Sequence, residues 1–173
     1  MQAADKNTAP ATERAGKFLV FQLDQEEFGI RVLKVREIMG IQAITPVPHC
    51  PAHIKGVINL RGKIIPVIDL RLRFGLAPLE YSARTCIVVV QIGEGAEAML
   101  MGVVVDGVAE VLNVAEADVE KAPEFGGEVD TSYLLGIAKV KGKVKLLLDI
   151  DKAISVNDIS SLHSLVEGAG AMA

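Results

Sequence analysis

Tryptophan is absent from this chain, and other aromatics are scarce: two tyrosines and five phenylalanines in 173 residues. The core must therefore be aliphatic, and with half the residues apolar there is ample material for one. The excess of valine and isoleucine tilts the class toward β structure, where branched side chains pack well on a pleated surface. A basic surface is also missing: the formal net charge is −4, with Lys and Arg scattered. Sequence-independent binding of nucleic acid needs clustered cations to displace counterions, so that class is disfavoured. Cys50 and Cys86 lie far apart and outside any CxxC pair, as two reduced, part-buried thiols of a cytosolic protein would. No apolar run reaches bilayer-spanning length, and residues 1–16 lack the apolar stretch of a secretory signal. The expectation is a soluble, cytoplasmic protein of one domain or two small subdomains.

What the chain does have is a repeated hairpin. Gly56-Val57-Ile58-Asn59-Leu60-Arg61-Gly62-Lys63-Ile64-Ile65-Pro66-Val67-Ile68-Asp69 places two apolar arms around a turn at Arg61-Gly62, with glycine where the backbone needs freedom. The frame recurs over residues 136–149, with Gly56/Gly136, Gly62/Gly142, Lys63/Lys143 and Asp69/Asp149 identical. Arg61 in the first copy answers Lys141 in the second. Upstream, residues 28–39 align with 101–112 without gaps, matching Gly29/Gly102, Val32/Val105, Val35/Val108 and Glu37/Glu110. Extra residues fall only in loops, as in a true structural repeat.

In chain order, residues 1–16 read as a disordered tail. A hairpin follows, with strands at 18–23 and 28–32 around a polar turn. Residues 33–39 carry apolar side chains at Val35, Ile38 and Met39, a spacing that suggests one helical turn or a tight bend. Residues 41–47 read as a strand, and Pro46, Pro48 and Pro51 then impose an extended loop. After the central hairpin, Asp69 caps a short helix at 70–75. The second half repeats the order from a strand at 86–92, with Gln91 matching Gln22, and 150–155 reads as helical. Residues 157–166 offer an amphipathic helix carrying Ile159, Leu162 and Val166. Each copy of about 70 residues is marginal alone. The expected fold is mainly β: two small five-stranded antiparallel barrels of SH3-like or OB-like kind from an internal duplication, with short helices. The boundaries are 17–80 and 81–155, with 156–173 as a C-terminal helix or tail.

Candidate chemistry is thin. His49-Cys50-Pro51-Ala52-His53 has metal-ligand residue types, but its prolines break the helix that would align the histidines, and no further ligand lies nearby in sequence. Gly93-Glu94-Gly95-Ala96-Glu97-Ala98 fits a loose dinucleotide pattern, yet a strand follows it and its glutamates would repel phosphate. Glu37/Glu110 and Asp69/Asp149 are duplicated carboxylates that read as caps or turn residues, and His163 stands alone. No nucleophile arrangement emerges, so no enzyme, cofactor or metal is expected. Surface features remain. Val32, Val35, Ile38, Val108 and Val111 sit around the two matched bends, where they could line a cleft between the halves. Arg61, on a hairpin flanked by apolar strands, is rarely needed for folding. It suits bidentate pairing with a carboxylate on another protein.

The central run, extended to Ile54-Lys55 before it and Leu70-Arg71 after it, resembles the signature of CheW, the chemotaxis coupling family. Phe18-Leu19-Val20-Phe21, Phe28-Gly29-Ile30, Val35-Arg36-Glu37-Ile38, Val105-Asp106-Gly107-Val108 and Ala122-Pro123-Glu124-Phe125 support it in the right order, covering about residues 17–155. The chain is too short to include the kinase itself or a receiver domain. The resemblance implies two β-barrel subdomains and a non-catalytic adaptor bridging the regulatory domain of the histidine kinase CheA and the cytoplasmic helical hairpin tip of chemoreceptors. By motif match it assigns partner binding to Glu37 and Arg61, with Val35, Gly56, Val108 and Val111 as the apolar or backbone positions beside them. Cys86 stands where the family usually has an aliphatic residue. The alternatives are a CheW-like coupling protein of another pathway, such as surface motility, or an OB-type nucleic-acid binder, for which the aromatics are not arranged.

Overall fold

The computed structural model describes residues 15–121 and 132–154. The expected helix at 157–166, His163, the motif at 122–125 and nearly all of the N-terminal stretch lie outside the described residues. The first repeat supplies β1 (Gly16–Leu23), β2 (Glu26–Arg31), β3 (Val35–Gly40), β4 (Ile54–Leu60), β5 (Lys63–Asp69) and helix α1 (Leu70–Arg73). The second supplies β6 (Cys86–Ile92), β7 (Met99–Val105), β8 (Gly107–Val114), β9 (Val119–Glu120), β10 (Leu134–Val140), β11 (Lys143–Leu148) and α2 (Ile150–Ala153). As expected, Asp69 caps α1 by accepting from the Arg71 N–H, and Asp149 caps α2 in the same way.

The strands form a six-stranded sheet, in the order β8-β1-β2-β11-β10-β9, and a five-stranded sheet, β3-β6-β7-β5-β4. Each therefore mixes the two repeats. Hairpin β1–β2 leaves its own repeat to pair with β8 and β11, and β6–β7 pairs with β3 and β5. The boundary near residue 80 separates the repeats in sequence but not the sheets in space. Two pairings, β2–β11 and β5–β7, are parallel, and the rest are antiparallel. This departs from the wholly antiparallel expectation because each exchanged hairpin meets the partner repeat's strand side by side.

Strict alternation sends side chains of one strand into two different cores. From β1, Leu19, Phe21 and Leu23 enter a large cluster shared by both sheets, while Phe18 enters a small core inside the six-stranded sheet. From β6, Val88, Val90 and Ile92 join the shared cluster, and Ile87 and Val89 fill the interior of the five-stranded sheet. Phe74 extends the shared core as an aromatic ladder, stacking on Tyr133 at 5.3 Å and reaching Phe28 at 6.0 Å. Both cysteines are free, half-buried and packed against this cluster.

Two local expectations change. Residues 41–47 form no strand; Thr45 alone bridges Val57. Of residues 33–39, only the start holds the expected turn or bend: a single 3-10 turn at Val32–Lys34 leads directly into strand β3, which takes the rest. The helix-like spacing of Val35 and Ile38 arises from a β-bulge. Val35 opposes Val90 and Glu37 opposes Val89, so Arg36 is an extra residue and side chains three apart return to one face. Strand β8 repeats the device, with Val108 opposite Phe21 and Glu110 opposite Val20.

Candidate functional site: an arginine–glutamate clamp across a sheet seam

The turn at the end of β4–β5 is a two-residue loop, Leu60 pairing with Lys63. Arg61 and Gly62 both have positive φ, +51° and +87°, as required by the tight turns that match strand twist. Asn59 accepts a hydrogen bond from the Gly62 N–H at 2.7 Å. From this turn the Arg61 side chain reaches β3, where its two terminal nitrogens donate to both oxygens of Glu37, at 3.1 and 2.5 Å. Strands β3 and β4 are opposite edges of the five-stranded sheet. The pair thus ties together two edges that no backbone ladder joins.

The bulge makes this possible. It turns Glu37 toward the side of the sheet where Met39 and Leu60 pack on the internal core, while Val35 and Ile38 face the other way. The clamp is open to solvent, with Arg61 74% and Glu37 31% exposed. The double hydrogen bond to Arg61 holds the Glu37 carboxyl below its ordinary value of 4.5. Its counterpart, the hydrogen bond to Glu37, raises Arg61. The expectation from sequence is that Arg61 pairs with a carboxylate on another protein; within this chain its guanidinium is paired with Glu37.

The other expected site residues fall into two groups. Val35 and Val108 are half-buried against the shared core, and the bulges place the more exposed Ile38 (44%) and Val111 (56%) on the same faces one step outward. Edge strands β3 and β8 therefore each present an apolar pair beside the shared core. Gly56 has a role in the backbone: a Cβ there would lie 1.9 Å from the Thr45 carbonyl oxygen, so its strand can meet the Thr45 bridge only as glycine. In the second repeat the clamp is missing. Glu110 and Lys141 form no ion pair with each other, and Lys139 pairs with Glu120 instead.

Two groups escaped sequence reasoning. Asn59 was legible only as another departure from the repeat, its counterpart in the second copy being Lys139. A buried polar network around Arg71 was not legible at all. Arg71, 8% exposed, donates to Asp106 at 2.7 Å and to the Ala77 carbonyl at 3.0 Å. Beside it the Tyr81 hydroxyl donates to Asp69 at 2.9 Å, and Lys55 lies over the Tyr81 ring. The network ties α1 to the β7–β8 junction and to the linker between the repeats.

A duplicated unit of five strands in the first copy and six in the second, with hairpins exchanged between two sheets, defines a protein of all-β class. The model of the CheW-like domain matches residues 17–157. The chain is 37% identical over 158 residues to the chemotaxis protein CheW of Klebsiella aerogenes, covering 91% of this chain and 93% of that one. It is 36% identical over 150 residues to the Bacillus subtilis chemotaxis protein CheW, covering 87% and 92%. The crystal structure of the scaffolding protein TtCheW from Thermoanaerobacter tengcongensis superposes with a TM-score of 0.73 at 36% identity, covering 83% of this chain and 95% of that one. The chain belongs to the CheW family.

Proposed function

We propose that this chain is a non-enzymatic chemotaxis adaptor. It couples the regulatory domain of the histidine kinase CheA to the cytoplasmic helical tips of chemoreceptors, in the cytoplasm and at membrane receptor arrays. The observation that carries the reading is the exposed Arg61–Glu37 clamp. The pair is open to solvent, with Arg61 74% exposed, so water screens its attraction, and it presents directional hydrogen-bonding groups of both signs to a partner. The apolar pairs Val35/Ile38 and Val108/Val111 supply edge-strand contacts of the kind a partner helix can bury against a groove. Gly56 takes part only through the backbone that carries the hairpin.

The test is reconstitution of receptor-bearing membranes, CheA and this protein, reading co-sedimentation and kinase activity. The wild-type protein co-sediments and raises kinase activity. Arg61→Ala and Glu37→Ala keep the fold and weaken ternary complex formation by roughly three- to tenfold, a loss below that of an interface hot spot. A folded wild-type protein that binds neither partner sinks the reading. Complex formation by both variants equal to wild type removes the clamp from it. A coupling protein of another pathway, such as surface motility, would bind through the same chemistry and is told apart by which receptors it co-sediments with.

A further inference from the structure

The chain contains its own control for the clamp. Turns Arg61-Gly62 and Lys141-Gly142 occupy equivalent places in the two repeats and adopt nearly the same backbone, with φ of +51° and +87° against +54° and +78°. Both close two-residue hairpins in the same register. Only the first has a side chain bonded into the turn, Asn59 Oδ1 accepting from the Gly62 N–H at 2.7 Å. At the corresponding place in the second repeat stands Lys139, which extends to Glu120 at 3.0 Å. The turn therefore forms without an asparagine, and folding the hairpin does not explain Asn59.

What differs between the two turns is their load. Arg61 must keep two simultaneous bonds to Glu37 on the opposite edge strand, whereas Lys141 makes no such bond. A bidentate contact tolerates little angular drift, and a turn whose first central residue is a non-glycine at positive φ has nearby backbone conformations to relax into. A side-chain bond to the amide just after Arg61 closes that escape. We propose that Asn59 is a positioning residue: by fixing the Gly62 amide, it holds Arg61 in the orientation that grips Glu37. Its importance to the adaptor rests on the functional reading above, but its action on the clamp does not.

The experiment uses the full chain by itself and then in the reconstituted complex. NMR follows three signals: the Glu37 carboxyl titration, hindered rotation of the Arg61 guanidinium, and protection of the Gly62 amide. In Asn59→Ala the Gly62 amide loses protection and Arg61 rotates freely. The Glu37 pKa moves at least halfway toward the value measured in Arg61→Ala. The melting temperature falls by no more than about 4 °C, the effect of one exposed hydrogen bond. Asn59→Ser, which keeps a neutral acceptor, recovers part of each signal. In the complex, Asn59→Ala weakens coupling in an otherwise wild-type chain and has no further effect in Arg61→Ala. Unchanged Glu37 titration and Arg61 rotation in Asn59→Ala overturn the proposal. A clamp that loosens in the free protein while coupling stays at full strength leaves Asn59's role in place and refutes the use of the clamp in partner binding.

Discussion

Gly56→Ala separates a partner-binding glycine from a folding one. At φ +138° the backbone of residue 56 lies where L side chains rarely go, which costs roughly 1–3 kcal/mol for a non-glycine residue. The added methyl would also stand 1.9 Å from the Thr45 oxygen, 2.7 Å from its carbonyl carbon and 2.9 Å from Pro46 Cα. All three are backbone atoms, so no rotamer change relieves the clash. Relief requires moving the Thr45 segment away, breaking the two 2.9 Å hydrogen bonds that join Thr45 and Val57, each worth about 1 kcal/mol net. The sum is about 3–5 kcal/mol. At about 2–4 °C per kcal/mol for a chain of this size, the melting temperature falls by roughly 6–20 °C. Gly62→Ala is the control, because its φ is also positive but nothing lies within 4 Å of the new methyl, so only the conformational cost of roughly 1–2 kcal/mol remains. Thermal and urea unfolding followed by circular dichroism measure both. A Gly56→Ala protein as stable as Gly62→Ala refutes the close-approach argument and returns Gly56 to the partner surface.

Three further outcomes follow from the polar groups. Glu37 has a lowered pKa in the fold, so its pairing is complete above the ordinary value of 4.5 and is lost as pH falls through the folded value. A carboxyl NMR titration shows that drop, and Arg61→Ala abolishes it. Buried Lys145 pairs with Glu27 at places where the other sheet has Ile65 and Leu100, both packed on its internal core. Glu27→Leu alone therefore strands a buried ammonium and costs about 3 kcal/mol in urea unfolding, whereas the double variant Glu27→Leu, Lys145→Ile is as stable as wild type or more so. A single variant as stable as the double contradicts this account. Burial, and then the bond to Asp69, push the Tyr81 phenol well above its ordinary value of 10. Its contribution is whole below about pH 10 and lost as pH rises through the folded value. Tyr81→Phe should remove that alkaline dependence at a cost of about 1 kcal/mol in unfolding experiments.

Much of the fold was legible because period and punctuation agree in this chain. The arms 54–60 and 63–69, the turn residues at Arg61-Gly62 and the caps Asp69 and Asp149 could be placed from local chemistry alone. The errors share a cause. Val35 and Ile38 look helical because a bulged strand returns side chains to one face at an interval of three, which the i, i+3 spacing of a helix also produces. Residues 41–47 look like a strand because their apolar members, Ile41 and Ile44, pack on the internal core of the five-stranded sheet, yet they meet partner backbone only at isolated points, Ile41 at Thr85 and Thr45 at Val57. Arg61 could be singled out by its departure from the repeat. That Glu37 would meet it could not, because their contact crosses 24 residues and depends on which strands become edges.

The exchange of hairpins explains why that dependence matters. Were β1–β2 to stay with β3, β4 and β5, each repeat would form a sheet of its own, with less apolar surface shared between the two. Exchange instead routes Leu19, Phe21 and Leu23 from one hairpin and Val88, Val90 and Ile92 from the other into a single core. Neither repeat can then complete a sheet without the other. The bulged strands β3 and β8 are left at sheet edges beside that core, each carrying a valine against it and a more exposed apolar residue one step out. Duplication alone would make the two edges equivalent. What breaks the equivalence is polar and confined to a few side chains: Arg61, Asn59 and Glu37 form a clamp across the two edges of the five-stranded sheet, whereas Lys141, Lys139 and Glu110 form none in the other sheet. On the adaptor reading proposed above, two unlike partners call for two unlike surfaces, and these substitutions differentiate the two repeats while leaving the duplicated frame intact.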